Sequence, residues 1–251
     1  PTRRSSDLDL SRPEVRDYLF DAISGLVSEY HIAYIKWDQN RDLLNSEVSG
    51  QARIVAHTRG TYELLSRLRS AHPGLEIESC ASGGGRIDFG VLAHTDRVWA
   101  SDTNDPIERL DLQRWTELLL PPEFIGSHVG PEVAHTTWRH TELSFRIATG
   151  LLNSFGIETD ITRSSEDELA DYAQGIAAHK RLRGLLHSGR QHHIDTPDQG
   201  IRATITVDDG ATAAVLRIAR VATDSRALPA AVPVPGLYLD TTYPVRPLPE
   251  L

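Results

Sequence analysis

Three short segments carry residue types and spacings that could support acid–base or nucleophilic chemistry. The first is Tyr34-Ile35-Lys36-Trp37-Asp38-Gln39-Asn40, which reads as the end of a strand. Alternate residues of a strand share a face, so Lys36, Asp38 and Asn40 are expected to point the same way. A carboxylate beside an ammonium stays ionised, which suits a nucleophile. A strand-end aspartate that caps the following loop would show the same pattern, and spacing leaves both readings open. The second segment, Val98-Trp99-Ala100-Ser101-Asp102, ends another strand, two strands further on. Strand ends two apart are about 9–10 Å apart, and inward-pointing side chains on a curved sheet can close that to about 5 Å. That is the separation of a retaining glycosidase, whereas an inverting one needs roughly 6.5–9.5 Å. Asp105, followed by Pro106 and Glu108, reads instead as a helix cap.

The third segment is Glu78-Ser79-Cys80-Ala81-Ser82-Gly83-Gly84-Gly85-Arg86. Its glycines permit positive φ and close approach of backbone to a ligand. A phosphate cradle is the rival reading. It lacks the Lys-Ser/Thr ending of a P-loop and the spacing of a dinucleotide fingerprint. Eleven histidines invite a metal hypothesis. None forms HExxH or a zinc-spaced Cys/His set, so His135, His140, His192 and His193 read as surface or packing residues. Trp37, Trp99, Trp115 and Trp138 could be sugar platforms, but Trp115 has the spacing of helix packing. Trp37 and Trp99 flank the carboxylates, and alternation is expected to turn them away from the face of Asp38.

These segments need elements to hold them. Apolar spacing predicts a helix over 13–30, with Ser11 and Glu14 as a capping box. His31–Trp37 reads as a buried strand. A helix over 51–71 follows, then a strand over Leu75–Cys80 entered by a Pro73-Gly74 turn. Arg97–Ala100 is strand-like, and Asp105 opens a helix to about Leu120. Phe124–Gly126 reads as a short strand. A helix over Thr141–Phe155 is expected to end at Gly156 as a left-handed cap. Ile157–Ile161 is strand-like, and Ser165 with Glu168 opens a helix to about Leu186. Repeated βα units imply a parallel sheet. From about residue 190 the alternation of Ile201–Val207 and Ala213–Arg220, broken at Asp209-Gly210, predicts an antiparallel β domain with a hairpin there. The expected organisation is a partial (β/α)8 barrel over 1–188 and a β domain over 189–251. About five full strands are expected where a closed barrel needs eight, and Asp7–Leu10 could be the tail of one more.

The composition is that of a globular protein, 39% hydrophobic and 24% charged. A net charge of −9 argues against a nucleic-acid partner. No apolar run reaches the roughly 18–20 residues needed to span a membrane. The single cysteine, Cys80, excludes an intrachain disulfide and fits a reducing, cytoplasmic setting. The chain has no methionine, so an amino-terminal portion is expected to be missing.

Lys36-Trp37-Asp38, Cys80-Ala81-Ser82-Gly83-Gly84-Gly85-Arg86 and Trp99-Ala100-Ser101-Asp102-Thr103-Asn104-Asp105 resemble, in order and spacing, α-galactosidases of glycoside hydrolase family 36. The likeness extends to Leu119-Leu120-Pro121-Pro122-Glu123 and Gly126-Ser127-His128-Val129. It implies an α/β fold, a (β/α)8 barrel followed by a small antiparallel β domain. It also implies hydrolysis of terminal α-linked galactose, without metal or other cofactor, and an α-galactoside oligosaccharide as partner. By the same resemblance Asp38 is the nucleophile and Asp102 the general acid/base. Lys36 would bind galactose hydroxyls, and Cys80, Ser82 and Gly83 would line the sugar subsite. Asn40 and Arg86 join them as substrate-binding candidates. Related α-N-acetylgalactosaminidases and galactosyl-transferring, raffinose-synthase-like enzymes are the enzymatic alternatives, and homo-oligomerisation is left open. Family members carry a large β-sandwich and the first barrel strands before this point. The chain alone is therefore expected to aggregate or hydrolyse little unless a separate chain supplies the missing half.

Overall fold

The computed structural model describes residues 8–40, 47–48, 51–223, 228 and 230–248. The chain divides into two compact units, Pro1–Trp99 and Ala100–Leu251.

The first unit contains α1 (Pro13–Tyr30), β1 (Tyr34–Asp38), α2 (Ile54–Ala71), β2 (Glu76–Cys80), the short α3 (Phe89–Leu92) and β3 (Arg97–Trp99). The three strands are parallel in the order β1-β2-β3, with Lys36 opposite Glu78, Asp38 opposite Cys80, and Glu78 opposite Arg97. Leu64, Leu65 and Leu68, on one face of α2, bury themselves against Ile77, Leu75 and Val91. Gly60 lets the preceding chain lie across α2, because a Cβ there would fall 2.0 Å from the Leu10 carbonyl oxygen.

The start of α1 differs from the expected capping box. Arg12 is the N-cap, with no side-chain cap, and its guanidinium pairs with Glu14, while the Ser11 N–H bonds the Asp9 carboxylate. Ser11 stands one residue too early, because Pro13 occupies the first helical turn. Residues 8–10 form no strand, and Asp7 lies outside the described residues. His31, expected in the strand, is the left-handed residue that ends α1, with φ of 53°. The strand that follows is half-buried, not buried: Ile35 and Trp37 pack on the helical core, and Tyr34, Lys36 and Asp38 lie on the exposed face.

The second unit contains α4 (Pro106–Thr116), β4 (Ile125–Val129), α5 (Leu143–Gly150), β5 (Ser154–Ile157), α6 (Glu166–Ser188), β6 (Arg190–Ile194), β7 (Ile201–Val207) and β8 (Ala214–Arg220). β4 and β5 are parallel, Ser127 opposite Phe155. β8, β7 and β6 form an antiparallel sheet in that order. Both arms of the Ser165/Glu168 capping box are formed. Leu151, Leu152, Ala178, Leu186 and Val215 bury a core between α6 and β8.

Two boundaries here correct the sequence reading. α5 stops at Gly150, and Phe155 and Gly156 belong to a strand. Leu151 and Leu152 continue the apolar spacing through a turn, so periodicity overran the helix. Gly156 is required by close approach, since a Cβ would meet the His128 ring at 2.7 Å. The β7–β8 connection is a wider loop than an Asp-Gly hairpin. The Asp208 carboxylate accepts from the N–H groups of Thr212 (2.7 Å) and Ala213 (3.0 Å), and Ala211 takes a positive φ of 50°. Among the described residues from 221 onward there is no strand. Among the described residues no helix is long and apolar enough to cross a membrane.

Candidate active site

The carboxyl end of β1 gathers the first group of candidates. The Lys36 ammonium lies 3.5 Å from the Glu78 carboxylate and 4.3 Å from the centroid of the Trp99 ring. Trp99 is thus on the Lys36 side of the sheet, not turned away from it. Alternation orients residues only within one strand, and the register of β3 places Trp99. Trp37 does turn to the opposite, packed face. Glu78 is fully buried and accepts a 2.7 Å bond from the Tyr34 hydroxyl. Burial and the Glu78 carboxylate push the Tyr34 phenol far above its ordinary pKa, so it remains a donor. Tyr34 and Lys36 together supply the partners that a buried carboxylate needs.

Asp38 lies opposite Cys80. Burial, reinforced by a hydrogen bond to the Asp38 carboxylate, pushes the Cys80 thiol up to about 11, against the opposing charge of Lys36. Cys80 is therefore a neutral donor rather than a thiolate nucleophile. Asn40 donates to Asp38 at 2.8 Å, and its carbonyl oxygen accepts the Ser82 N–H, also at 2.8 Å. A relay of side chain and backbone so ties the end of β1 to the loop after β2. That loop folds on itself: the Ala81 N–H bonds the Gly83 carbonyl (2.9 Å) and the Gly85 N–H bonds the Ala81 carbonyl (3.1 Å). Ser82 and Gly83 take φ of 49° and 79°. A Cβ at Gly85 would lie 2.6 Å from the Ala81 oxygen, so this glycine is needed for close approach.

The substrate-binding candidates fall into two groups. Lys36 and Cys80 adjoin Asp38, and Asn40, which donates to it, belongs to both groups. Asn40, Ser82 and Arg86 line a cavity of about 720 Å³ beside α2, together with His57. Arg86 donates to Gln39 at 2.9 Å, and burial lowers its pKa.

Asp102 is exposed, and the three residues after it are each held. Thr103 bonds Glu108 (3.0 Å) and Thr136 (2.9 Å). Asn104 donates to Glu158 at 3.1 Å, and Glu158 also meets His128 at 2.8 Å. Asp105, fully buried, caps α4 through Ile107 N–H (2.9 Å), accepts from Thr137 at 2.6 Å, and pairs with Arg139. Burial would raise the Asp105 carboxyl, but the bonds from Thr137, Arg139 and Ile107 outweigh it and hold the pKa below the ordinary 3.8. Arg109, also buried, donates to the Ser101 carbonyl (3.0 Å) and the Gly126 carbonyl (2.6 Å).

Sequence reading missed Glu78, Thr136, Thr137, Arg139 and Glu158. Glu78 left one signal, since it alternates with Cys80 on a buried strand as Lys36 does with Asp38. The others act from distant loops and left none. Among the described residues no group of histidines, cysteines and carboxylates is arranged to hold a metal. His193 pairs with Glu117 at 3.0 Å and His140 with Glu132 at 3.4 Å. Trp115, expected to pack, is 62% exposed.

Parallel strands alternating with helices, one of them ending in Asp38 and the next followed by a nested glycine loop, with an antiparallel sheet later in the chain, define a β/α-barrel type of protein. The Melibiase family matches residues 1–189, and the chain belongs to that family. It is 38% identical over 239 residues to the α-galactosidase of Escherichia coli, covering 95% of this chain and 34% of that protein. It is 30% identical to α-galactosidase Mel36A of Lactobacillus acidophilus, covering 97% and 34%. A crystal structure of the family 36 α-galactosidase AgaA of Geobacillus stearothermophilus, in complex with 1-deoxygalactonojirimycin, superposes with a TM-score of 0.86. The identity is 30%, over 96% of this chain and 35% of that one. Further substituted variants of that enzyme have been crystallised with raffinose and with stachyose. The partial (β/α)8 barrel followed by a small antiparallel sheet is the fold of this chain. The chain spans about a third of the length of the relatives it matches.

Proposed function

We propose that this chain carries the catalytic carboxylates of a retaining α-galactosidase acting on α-galactosyl oligosaccharides, with residues 1–188 as its barrel portion and 189–251 as an appended β domain. The observation that carries the reading is the end of β1. There Asp38 is met by Asn40 at 2.8 Å and by the neutral Cys80 thiol, with the Lys36 ammonium held by Glu78 close by. Donors on either side of a carboxylate fix the direction in which its oxygen is presented, as a nucleophile requires. Asp102, after β3, is given the other role. It protonates the glycosidic oxygen while Asp38 attacks the anomeric carbon and the aglycone leaves. Asp102 then takes a proton from water as that water displaces Asp38. Two inversions give net retention. Lys36 would hold galactose hydroxyls. The relatives' complexes with raffinose and stachyose support this substrate class.

The test is proton NMR of the first product released from an α-galactoside by a polypeptide of the relatives' full length that includes this chain. α-Galactose is expected first. Early β-galactose would overturn the double displacement.

One observation favours a second reading for the 251-residue chain alone. β1 pairs only with β2 among the described strands, and its Tyr34, Lys36 and Asp38 face is exposed. A sugar pocket built on that face lacks a wall, so substrate binding energy for positioning the anomeric carbon is lost. We expect the chain alone to hydrolyse an aryl α-galactoside poorly, and activity to return when the rest of a relative's length is co-expressed as a second polypeptide. Full activity from the isolated chain would remove this reading and leave the first intact.

A further inference from the structure

Trp115 stands at the end of α4 with 62% of its surface exposed, although helical spacing marks it for packing. It lines an open cleft of about 280 Å³ between α4 and the β6–β7 connection, entirely within the second unit. The other walls are polar and already organised. Arg114 pairs with Asp195 at 2.6 Å and lies 5.5 Å from the Trp115 ring centroid. Arg202 pairs with Asp111 and also donates to the Gln199 carbonyl at 2.8 Å. Asp198, fully buried, accepts the Gly200 N–H at 2.8 Å and meets Arg220 at 3.0 Å, which fixes the connecting loop.

Three features together define a ligand class. The carboxylates Asp111, Asp195 and Asp198 each meet a guanidinium, so the cleft carries no uncompensated charge and recommends neither an anion nor a cation. The Asp111–Arg202 and Asp195–Arg114 pairs hold carboxylate lone pairs and guanidinium N–H groups in fixed directions, which suit adjacent hydroxyls of one ring. Ile194 and Ile201 also line the cleft but are buried, so the exposed apolar surface among its described lining residues is the indole of Trp115, the platform that the C–H face of a pyranose stacks upon. Because the pairs and the loop are in place beforehand, a ligand need not order them.

We propose that the cleft of Trp115, Asp111, Arg114 and Arg202 is a second binding site for one ring of an uncharged sugar, separate from the residues assigned to catalysis. It uses neither Asp38 nor Asp102 and does not rest on the proposed activity. Its function would be to hold one ring of an oligosaccharide on the surface of the second unit. Binding to a single ring is weak, with Kd on the order of millimolar.

The experiment follows the Trp115 indole N–H resonance, assigned by its loss in Trp115→Phe, during titration of a polypeptide of the relatives' full length that includes this chain and carries Asp38→Ala so that no sugar is consumed. Methyl α-galactoside, raffinose and, as a charged control, galacturonate are the probes. A saturable shift of that resonance with the neutral sugars is expected, and at least tenfold weaker binding (about 1.4 kcal/mol) in Arg202→Ala. Arg202→Ala removes a partly exposed side chain, and Asp111→Asn gives a milder check of the same contact. An unmoved Trp115 resonance with all sugars would overturn the proposal. So would a shift that follows protein concentration instead of sugar, which would make the cleft a contact between copies of the chain. A preference for galacturonate would overturn the uncharged class.

Discussion

The surroundings of Asp38 and of Asp102 are built by different means. Asp38 sits on a regular ladder, where its neighbours follow from register: Cys80 opposite, Glu78 opposite Lys36, and Asn40 two residues on. Asp102 stands on a loop, where nothing regular fixes the chain, and the work passes to side chains. Thr103, Asn104 and Asp105 are held by Thr136, Glu158, Thr137 and Arg139, which come from segments 30 or more residues away. A strand end is rigid because its backbone bonds are satisfied in the sheet. A loop acquires comparable rigidity only when buried polar groups find partners, and Asp105 with its three donors is such an anchor.

The contrast can be broken by mutation. The largest effect is expected at Asp38. In a full-length polypeptide, Asp38→Ala should lower kcat at least about a thousandfold on every α-galactoside, because no other group supplies the nucleophile. Retained turnover would remove Asp38 from that role. Asp102→Ala should behave differently. Poor leaving groups should lose about a hundredfold or more, while an activated aryl galactoside, which needs little protonation, should lose far less. Equal losses on both substrates would argue against an acid at Asp102.

The loop anchor should register in stability. Asp105→Ala should cost about 2–3 kcal/mol in urea unfolding, from a lost helix cap and lost charge-assisted bonds. The pH dependence has a definite sign. A depressed folded pKa means that the stabilisation is complete above the ordinary carboxylate value of 3.8 and is lost as pH falls through the lower folded value. Wild-type protein should therefore lose stability more steeply than Asp105→Asn on acidification below that point. Parallel curves would show that Asp105 contributes no such linkage.

The smallest effect belongs to the strand side. With its thiol raised to about 11, Cys80 should react with iodoacetamide at pH 8 at least about tenfold more slowly than after unfolding. Equal rates would mean that the thiol neither is buried nor donates to Asp38.

Local sequence dictates the parallel βα order, the antiparallel sheet after it, the Asp105 cap of α4 and the Ser165/Glu168 box of α6. Each is written in residues a few positions apart, where periodicity and capping chemistry act. The common face of Lys36 and Asp38 was legible for the same reason. Tertiary structure decided what lies between segments. It set Trp99 beside Lys36 through the register of β3, and it paired Lys36 with Glu78. It stopped α5 at Gly150 although the apolar spacing ran on, and it left Trp115 in solvent although its spacing suited a core. It also brought Thr136, Thr137, Arg139 and Glu158 to the loop after Asp102. Local spacing records which way a side chain leaves its own backbone. What it meets there depends on chain that returns from far away, and no short window of sequence contains that information.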